Sequence, residues 1–268
     1  MTKTQDHATE WKDVVRSRFS RAAGSYDEYA DVQLEAAEGL AERLGDADHR
    51  EILEIGCGTG SYTARLLELF PAARVAAVDF APGMLEEARR KHSDARIEWT
   101  LADGETYQPD DGRSFDLVTS NSALQWFEHP DRALDCYRRL MVPGGRLAFS
   151  SFGPETCGEL REVLGSLGSS SRELPASGFV GGDALRAMLA SRFTEVRVEE
   201  RRFQRTYPTL WDFLRCVKFT GVNGRTSDRL TTAAGLRRME SAYRERFGEI
   251  RVTHQVFFVF AQAPTRGE

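Results

Sequence analysis

The chain is poor in the residues that build metal centres and cross-linked frameworks. Its 268 residues include four cysteines, Cys57, Cys136, Cys157 and Cys216, and none are paired at metal-ligand spacing. They suggest neither a disulfide scaffold nor a zinc site, and they fit a reducing, cytoplasmic setting. No H-E-x-x-H pair occurs, so no metal is expected, and of the five histidines His129 lies nearest the expected site, where a capping or surface role suits it. The G-x-S-x-G elbow of serine hydrolases and the Walker loop of NTPases are also missing. No apolar run is long enough to span a bilayer. The polar stretch Met1 to Glu10 lacks the apolar core of a signal peptide. Basic side chains do not predominate: 36 Lys and Arg stand against 41 Asp and Glu, a net charge of −5. That balance argues against broad nucleic-acid binding. A hydrophobic content of 41% still suffices for one large domain, or one domain with an insertion.

What is present centres on residues 52 to 60. An apolar run with an embedded acid, Ile52-Leu53-Glu54-Ile55, ends in glycines at 56, 58 and 60, and an apolar pattern at helical spacing follows (Tyr62, Leu66, Leu67, Leu69, Phe70). This reads as strand, tight turn, helix. Glycine admits positive φ and a close ligand, and the helix N-terminus offers unpaired N–H groups. In the dinucleotide fingerprint the third glycine falls five positions after the first; here it falls at four. The E-x-G-x-G-x-G form, with Cys57 inside it, resembles the first motif of class I S-adenosyl-L-methionine-dependent methyltransferases. The resemblance implies S-adenosyl-L-methionine as cofactor, S-adenosyl-L-homocysteine as product, and Glu54 as receiver of the methionine ammonium, directly or through water.

Along the chain, residues 1 to 12 look disordered, and two helical stretches broken at Gly24-Ser25 lead to a stop at Gly45. Strands are expected at 52–55, 74–78, 97–101, 115–121 and 146–151, with intervening helices at 61–70, 82–92 and 131–141. Pro143-Gly144-Gly145 reads as a turn before the fifth strand. The alternation predicts an α/β fold with a mostly parallel sheet buried on both faces, binding ligands at the strands' carboxyl ends. Residues 153 to 178 are glycine- and serine-rich, a mobile lid or a surface loop, and the loop is preferred for the serine run. A helix over 183–191, a strand within 194–203, a helical insertion over 209–247 and a final strand over 252–261 complete the expectation. It matches the seven-stranded methyltransferase sheet with an antiparallel last strand. The expected divisions are an N-terminal helical arm (1–45), a Rossmann-like core (46–152), a lid (153–251) and the last strand with its tail (252–268).

Several residues stand where chemistry is expected. Asp79 closes the second strand and can accept both ribose hydroxyls, as it would for NAD. Phe80 and Met84 can cover an adenine, or pack in the core. Asp103 can accept adenine amino hydrogens, or be a solvated turn residue, and Gly104 would leave the ring edge uncovered. Asn121 can line the sulfonium side. Gln125 and Trp126 can contact the methionine tail or wall the acceptor pocket; Leu124 and Trp126 can equally cap the core. Tyr26 suits closing over a ligand as well as stapling the arm, whereas Tyr29 reads as a staple.

A narrower resemblance covers nearly the whole chain. Phe19 to Gln33 resembles the F-x-R-A-A-x-x-Y-(D/E)-x-x-A-x-x-Q signature of the malonyl-acyl carrier protein O-methyltransferases. Asn121 to Trp126 resembles their S-N-x-A-(L/V)-Q-W segment, and Lys218-Phe219-Thr220-Gly221-Val222-Asn223 their L-K-x-x-G-(A/V)-N lid motif. The family implies methyl esterification of a malonyl thioester on carrier protein or coenzyme A, which primes pimeloyl synthesis for biotin. An anionic substrate then calls for a cation, with Arg21, Lys218 and the cluster Arg201, Arg202, Arg205 as candidates, the cluster also for docking an acidic carrier. The alternatives are esterification of a free small acid such as trans-aconitate, C-methylation of a quinone precursor or other small-molecule methylation, a non-catalytic S-adenosyl-L-methionine-binding regulator and an NAD oxidoreductase. A carboxylate is ionised at neutral pH and attacks without a general base, so no catalytic base is expected. A monomer is expected, since no heptad or apolar surface stripe is evident.

Overall fold

The computed structural model describes residues 3–45, 47–168, 174–220 and 232–265. Gly221-Val222-Asn223 and the serines at 169 to 171 lie outside them. One seven-stranded sheet runs in the order β3-β2-β1-β4-β5-β7-β6. Its strands are β1 (Glu51–Ile55), β2 (Arg74–Asp79), β3 (Ile97–Leu101), β4 (Phe115–Asn121), β5 (Met141–Phe152), β6 (Thr194–Tyr207) and β7 (Ile250–Gln262). The first five pair in parallel, and β7 runs antiparallel to both β5 and β6. The strand order reverses beside β1, which pairs with β2 on one side and β4 on the other. A crevice at the carboxyl ends is the usual ligand site there.

Helices cover both faces. α3 (Asp31–Leu44) and α4 (Ser61–Leu69) lie on one side with Ile52, Val75 and Phe258. α6 (Pro130–Leu140) and α8 (Gly182–Ala190) lie on the other with Leu53, Ile55 and Val118. Side chains alternate across a strand, which is why neighbours on β1 fall into different layers. α5 (Pro82–Lys91) follows β2, with proline in its first turn, where the missing N–H costs nothing.

Four stretches depart from the sequence expectation. β5 opens at Met141 and runs through Pro143-Gly144-Gly145, where the sequence reads as a turn. The segment expected to be disordered belongs to α1 (Lys3–Ala22), which runs through a 3-10 turn at Ala23–Ser25 into the short α2 (Tyr26–Tyr29). Lys12 anchors it by reaching two core carboxylates, a tie invisible to local composition. The glycine-rich stretch after β5 contains α7 (Gly158–Ser166). Its Leu160, Val163 and Leu164 pack against Leu210, Phe213, Met239 and Tyr243, contacts that outweigh the low propensity of two glycines. β6 and β7 each run past their expected ends, with Tyr207 paired to Ile250. Together they carry α9 (Leu210–Phe219) and α10 (Ala233–Phe247). α9 opens with a capping box, Thr209 and Asp212 bonding each other's backbone N–H.

Phe258 lies at the centre of β7 with no exposed surface. The Arg43 guanidinium of α3 sits 4.7 Å over its ring. Phe258→Ala should cost about 3–5 kcal/mol, read as a lowered midpoint in denaturant unfolding.

Candidate active site

The turn after β1 is held from below. Gly56 and Cys57 both donate to Val78 O, at 2.7 and 3.0 Å. Gly58 N–H donates to Asp79 Oδ2 at 2.9 Å, and Asp79 Oδ1 accepts Ala81 N–H at 2.8 Å. Burial pushes the Asp79 carboxyl up to about 6, although these N–H groups pull it down. Gly56 and Gly58 take φ of +70° and +55°. A Cβ on Gly56 would lie 2.3 Å from Ala123 Cβ, whereas one on Gly58 would meet nothing within 4 Å. The turn therefore presents bare backbone to open space.

That space is a cavity of about 650 Å³. Gly56, Gly58 and Asp79 form one end, and Phe80, Met84, Asp103 and Gly104 line it further along. Asn121, Ser122 and Trp126 close it from β4, and Tyr26 with Phe19 from the arm. Asn121 Nδ2 donates to Gln33 O at 3.0 Å, tying β4 to the arm. Ser122 takes a left-handed φ of 58°. Its N–H donates to Ser150 O at 3.1 Å and to Ser150 Oγ at 3.0 Å, which holds a conformation that a non-glycine residue adopts at a cost.

Other expected residues stand elsewhere. Glu54 lines neither main cavity, because it occupies the opposite face of β1 from Ile55. It is 1% exposed, and its Oε2 has no hydrogen-bond partner. Burial, with the nearby Asp79 charge, pushes its carboxyl up to about 8. Cys57 is buried away from both cavities, its thiol pushed up by burial. Gly60 serves packing: a Cβ there would lie 2.7 Å from the His92 ring and 2.8 Å from Trp99. Gly104 lines the cavity, yet a Cβ would strike Ile55 Cγ2 at 2.4 Å, so close packing also demands the glycine. His129 precedes α6, and its backbone N–H donates to Glu105 Oε1 at 2.7 Å.

A second cavity, about 630 Å³, adjoins the first; Phe19, Tyr26, Ser122 and Trp126 line both. Gln125, expected on the cofactor side, lines this cavity and not the first, with Nε2 donating to Ser122 O at 2.6 Å. Trp126 sits edge-on between Phe19 and Phe179, at 5.6 and 5.5 Å. Tyr29 is both staple and wall: it stacks on Phe219 at 4.8 Å and lines the cavity. No lysine or arginine among the described residues lines this space. Arg21 is exposed and donates to Ser17 O, and Lys218 is exposed beside Phe219. Arg202 pairs with Glu155 and Glu200, Arg205 pairs with Asp31 and Glu35, and Arg201 lies over Phe203. None of the cations expected from sequence lines the cavity: Arg21 and Lys218 are exposed, Arg202 lies on the opposite face of β6 from Phe203, and Arg205, on the Phe203 face, is held by Asp31 and Glu35.

Sequence reasoning missed Lys12. Its Nζ reaches Asp103 Oδ2 at 2.5 Å and Glu105 Oε2 at 2.7 Å, and it lines the first cavity. It missed Asp27 too, which accepts Thr59 Oγ1 at 2.6 Å and Lys91 Nζ at 2.7 Å. No local pattern signals partners so far apart in the chain. The residues that line the first cavity fit S-adenosyl-L-methionine: a bare glycine turn, two strand-end carboxylates and an apolar slot. Glu54, expected from sequence to take part, lies outside the lining with its Oε2 unpartnered.

Comparison with known proteins agrees. A family model described as a methyltransferase domain matches residues 52–145. The chain is 31% identical over 261 residues to malonyl-[acyl-carrier protein] O-methyltransferase 1 of Ilyobacter polytropus, covering 95% of this chain and 96% of that one. It is 33% identical over 267 residues to a malonyl-[acyl-carrier protein] O-methyltransferase of Brevibacillus brevis, covering 93% and 96%. Among solved structures, the YcgJ protein of a Bacillus aligns with a TM-score of 0.60 at 16% identity, over 87% of this chain and 99% of that one. A Haemonchus contortus phosphoethanolamine N-methyltransferase in complex with S-adenosyl-L-methionine aligns at 0.55 and 17% identity, over 85% and 52%. The structural likenesses establish the fold.

Glu54 yields two opposed expectations. Its folded carboxyl ionises near 8 against an ordinary value of 4.5. The ligand-free fold is therefore favoured below the unfolded value and loses that advantage as pH rises towards 8. Glu54→Gln should raise the melting temperature of the ligand-free protein at pH 8 and leave it little changed at pH 4.5. The same change should weaken S-adenosyl-L-methionine roughly tenfold or more, the loss of one charge-assisted bond. Melts at both pH values and calorimetric titration check this; an unchanged Kd would remove Glu54 from cofactor binding.

Proposed function

The chain belongs to the malonyl-[acyl-carrier protein] O-methyltransferase family, and from that premise we infer that it esterifies the free carboxylate of a malonyl thioester carried by an acyl carrier protein. The product is the malonyl methyl ester that primes pimeloyl synthesis for biotin. The observation that carries the reading at the site is the pair of adjoining cavities sharing a wall of Phe19, Tyr26, Ser122 and Trp126, one polar-ended and glycine-floored, the other largely apolar. We place the enzyme in the cytoplasm, acting as a monomer on a soluble carrier.

Bound S-adenosyl-L-methionine supplies a methyl group activated on a sulfonium; the methyl–sulfur bond breaks as a methyl–oxygen bond forms, and no proton moves. On this reading Asp79 orients the ribose, Phe80 and Met84 flank the adenine, and Asp103 addresses its amino edge beside Lys12. Glu54, outside the cavity lining, would meet the ammonium through water, and Asn121 with the Ser122 backbone would shape the sulfonium side. A cation and an anion neutralise each other in this reaction, so charge shrinks on the way to the transition state. Water and fixed counter-ions stabilise the reactants more than that state, and a site free of both is faster. The acceptor cavity has this character. Asp31, its one carboxylate among the described lining residues, is engaged by Arg205 and by its own capping of Val32 N–H. Gln125 is fixed between Ser122 O and the β5 end, where its Oε1 accepts from Ser151 Oγ at 3.3 Å and Phe152 N–H at 3.4 Å. Trp126, Phe19 and Tyr26 exclude water between the two spaces.

Methyl transfer from labelled cofactor tests the reading, with malonyl-carrier protein, malonyl coenzyme A, malonate and trans-aconitate compared side by side. Malonyl thioesters should be preferred at least a hundredfold in kcat/KM, about 2.7 kcal/mol of transition-state binding. Turnover confined to a free acid would overturn the substrate. A second expectation concerns pH. With cofactor saturating, kcat should stay level from about pH 6.5 to 8.5, because the acceptor is already ionised. A limb near neutrality would require a general base.

A further inference from the structure

The polar side chains around the acceptor cavity are mostly satisfied within the protein. Thr156 Oγ1 donates to Gln255 O at 3.2 Å, and Cys216 Sγ to Tyr29 O at 3.3 Å. Tyr207 OH points to Cys216 Sγ at 3.7 Å. His254 differs. Of the described side-chain nitrogen and oxygen atoms that are buried without a partner, only its Nε2 belongs to a residue lining this cavity. The ring is held in place: His254 pairs with Phe203 across β6–β7 and packs edge-on against Phe152 at 6.0 Å. Burial pushes the imidazole down to about 4, so it is neutral at working pH, with one nitrogen donating. In the tautomer that carries its proton on Nε2, that donor is buried and unpaired, which is unfavourable. A ligand that accepts from it recovers that loss.

We propose that His254 Nε2 donates a hydrogen bond to the carboxylate of the acyl substrate and thereby selects acyl groups that end in a carboxylate. The inference rests on the reading of the enzyme as a carboxyl methyltransferase. The chemistry favours a neutral donor over an arginine. An ion pair would hold the carboxylate charge that the reaction removes, stabilising the substrate over the transition state. An imidazole N–H bonds a carboxylate oxygen at the start and the ester carbonyl at the end. Position agrees: His254 lies on β7 near the β5 end, where Phe152 pairs with Val256 two residues further on, and Gln125 contacts Phe152 N–H on the same edge.

The test uses the full-length enzyme and two variants, His254→Phe, which keeps the ring packing, and His254→Gln, which restores a donor. Wild-type turnover of malonyl-carrier protein examines the functional reading by itself. Variants are then compared with wild type on whichever carboxylate substrate the wild type accepts, so the two failures separate. His254→Phe should bind S-adenosyl-L-methionine within twofold of wild type and lose roughly tenfold or more in kcat/KM. His254→Gln should regain most of it. An acetyl thioester, which lacks the carboxylate, should inhibit wild type and His254→Phe equally. The proposal is overturned if His254→Phe keeps wild-type kcat/KM, or if acetyl and malonyl thioesters weaken in parallel. Should His254→Phe fail to bind the cofactor, His254→Gln decides: it must retain the malonyl-over-acetyl preference, and its loss despite intact cofactor binding would also overturn the proposal.

Discussion

Asp27 joins the arm to the glycine turn after β1, which forms one end of the first cavity. Its Oδ1 accepts the Thr59 hydroxyl at 2.6 Å, and its Oδ2 is met by Lys91 at 2.7 Å and Ser61 at 3.3 Å. Thr59 lies between Gly58 and Gly60, so this carboxylate fixes the arm against the glycine turn itself. The partly exposed ion pair is worth about 1 kcal/mol or less; the hydrogen bond to buried Thr59 is less easily replaced by water. Asn121 to Gln33 O and Lys12 to Asp103 hold the arm at two further points. Phe19 and Tyr26 are thereby walls of both cavities. Without the arm, the carboxyl edge of the sheet would be an open crevice.

Closure has an electrostatic counterpart. Two carboxylates, Asp79 and Asp103, line the first cavity beside Lys12, and Glu54 lies buried outside its lining; burial pushes Asp79 up to about 6 and Glu54 up to about 8. Such groups repel one another until a cation arrives. The acceptor side is the reverse. Its lining carries no cation among the described residues, and Arg205 beside it is engaged by Asp31 and Glu35. One cavity thus favours a positively charged ligand, and the other gives an anion little reason to stay solvated or paired. A reaction between sulfonium and carboxylate gains from that arrangement because it consumes both charges.

The motif around residues 52 to 60 and the alternation of strands were legible because both are local. Glycine at a positive-φ turn, period-2 apolar strands and prolines at helix starts act over a few residues. Strands β1 to β4 fall within a residue of their expected limits, and Asp79, Asp103 and Asn121 line the cofactor cavity from strand ends where topology places ligands. The face of a single residue was harder to read. Glu54 and Ile55 are neighbours on β1, yet only Ile55 lines the cavity. α7 was hidden by glycines whose cost is overcome by contacts with helices more than forty residues away.

By itself the sequence determined the fold class, the cofactor and the family, since each is written in local spacing and in short motifs. Tertiary structure alone decided which charges reach the site. Lys12 meets Asp103 across 91 positions, while Arg21 and Lys218, both inside recognisable motifs, point to solvent. His254 carries no motif, and its place beside the acceptor cavity follows from the antiparallel return of β7 against β5. The reason is physical: spacing along a chain encodes backbone conformation, but the direction and pairing of a charged side chain are set by elements that meet only after folding.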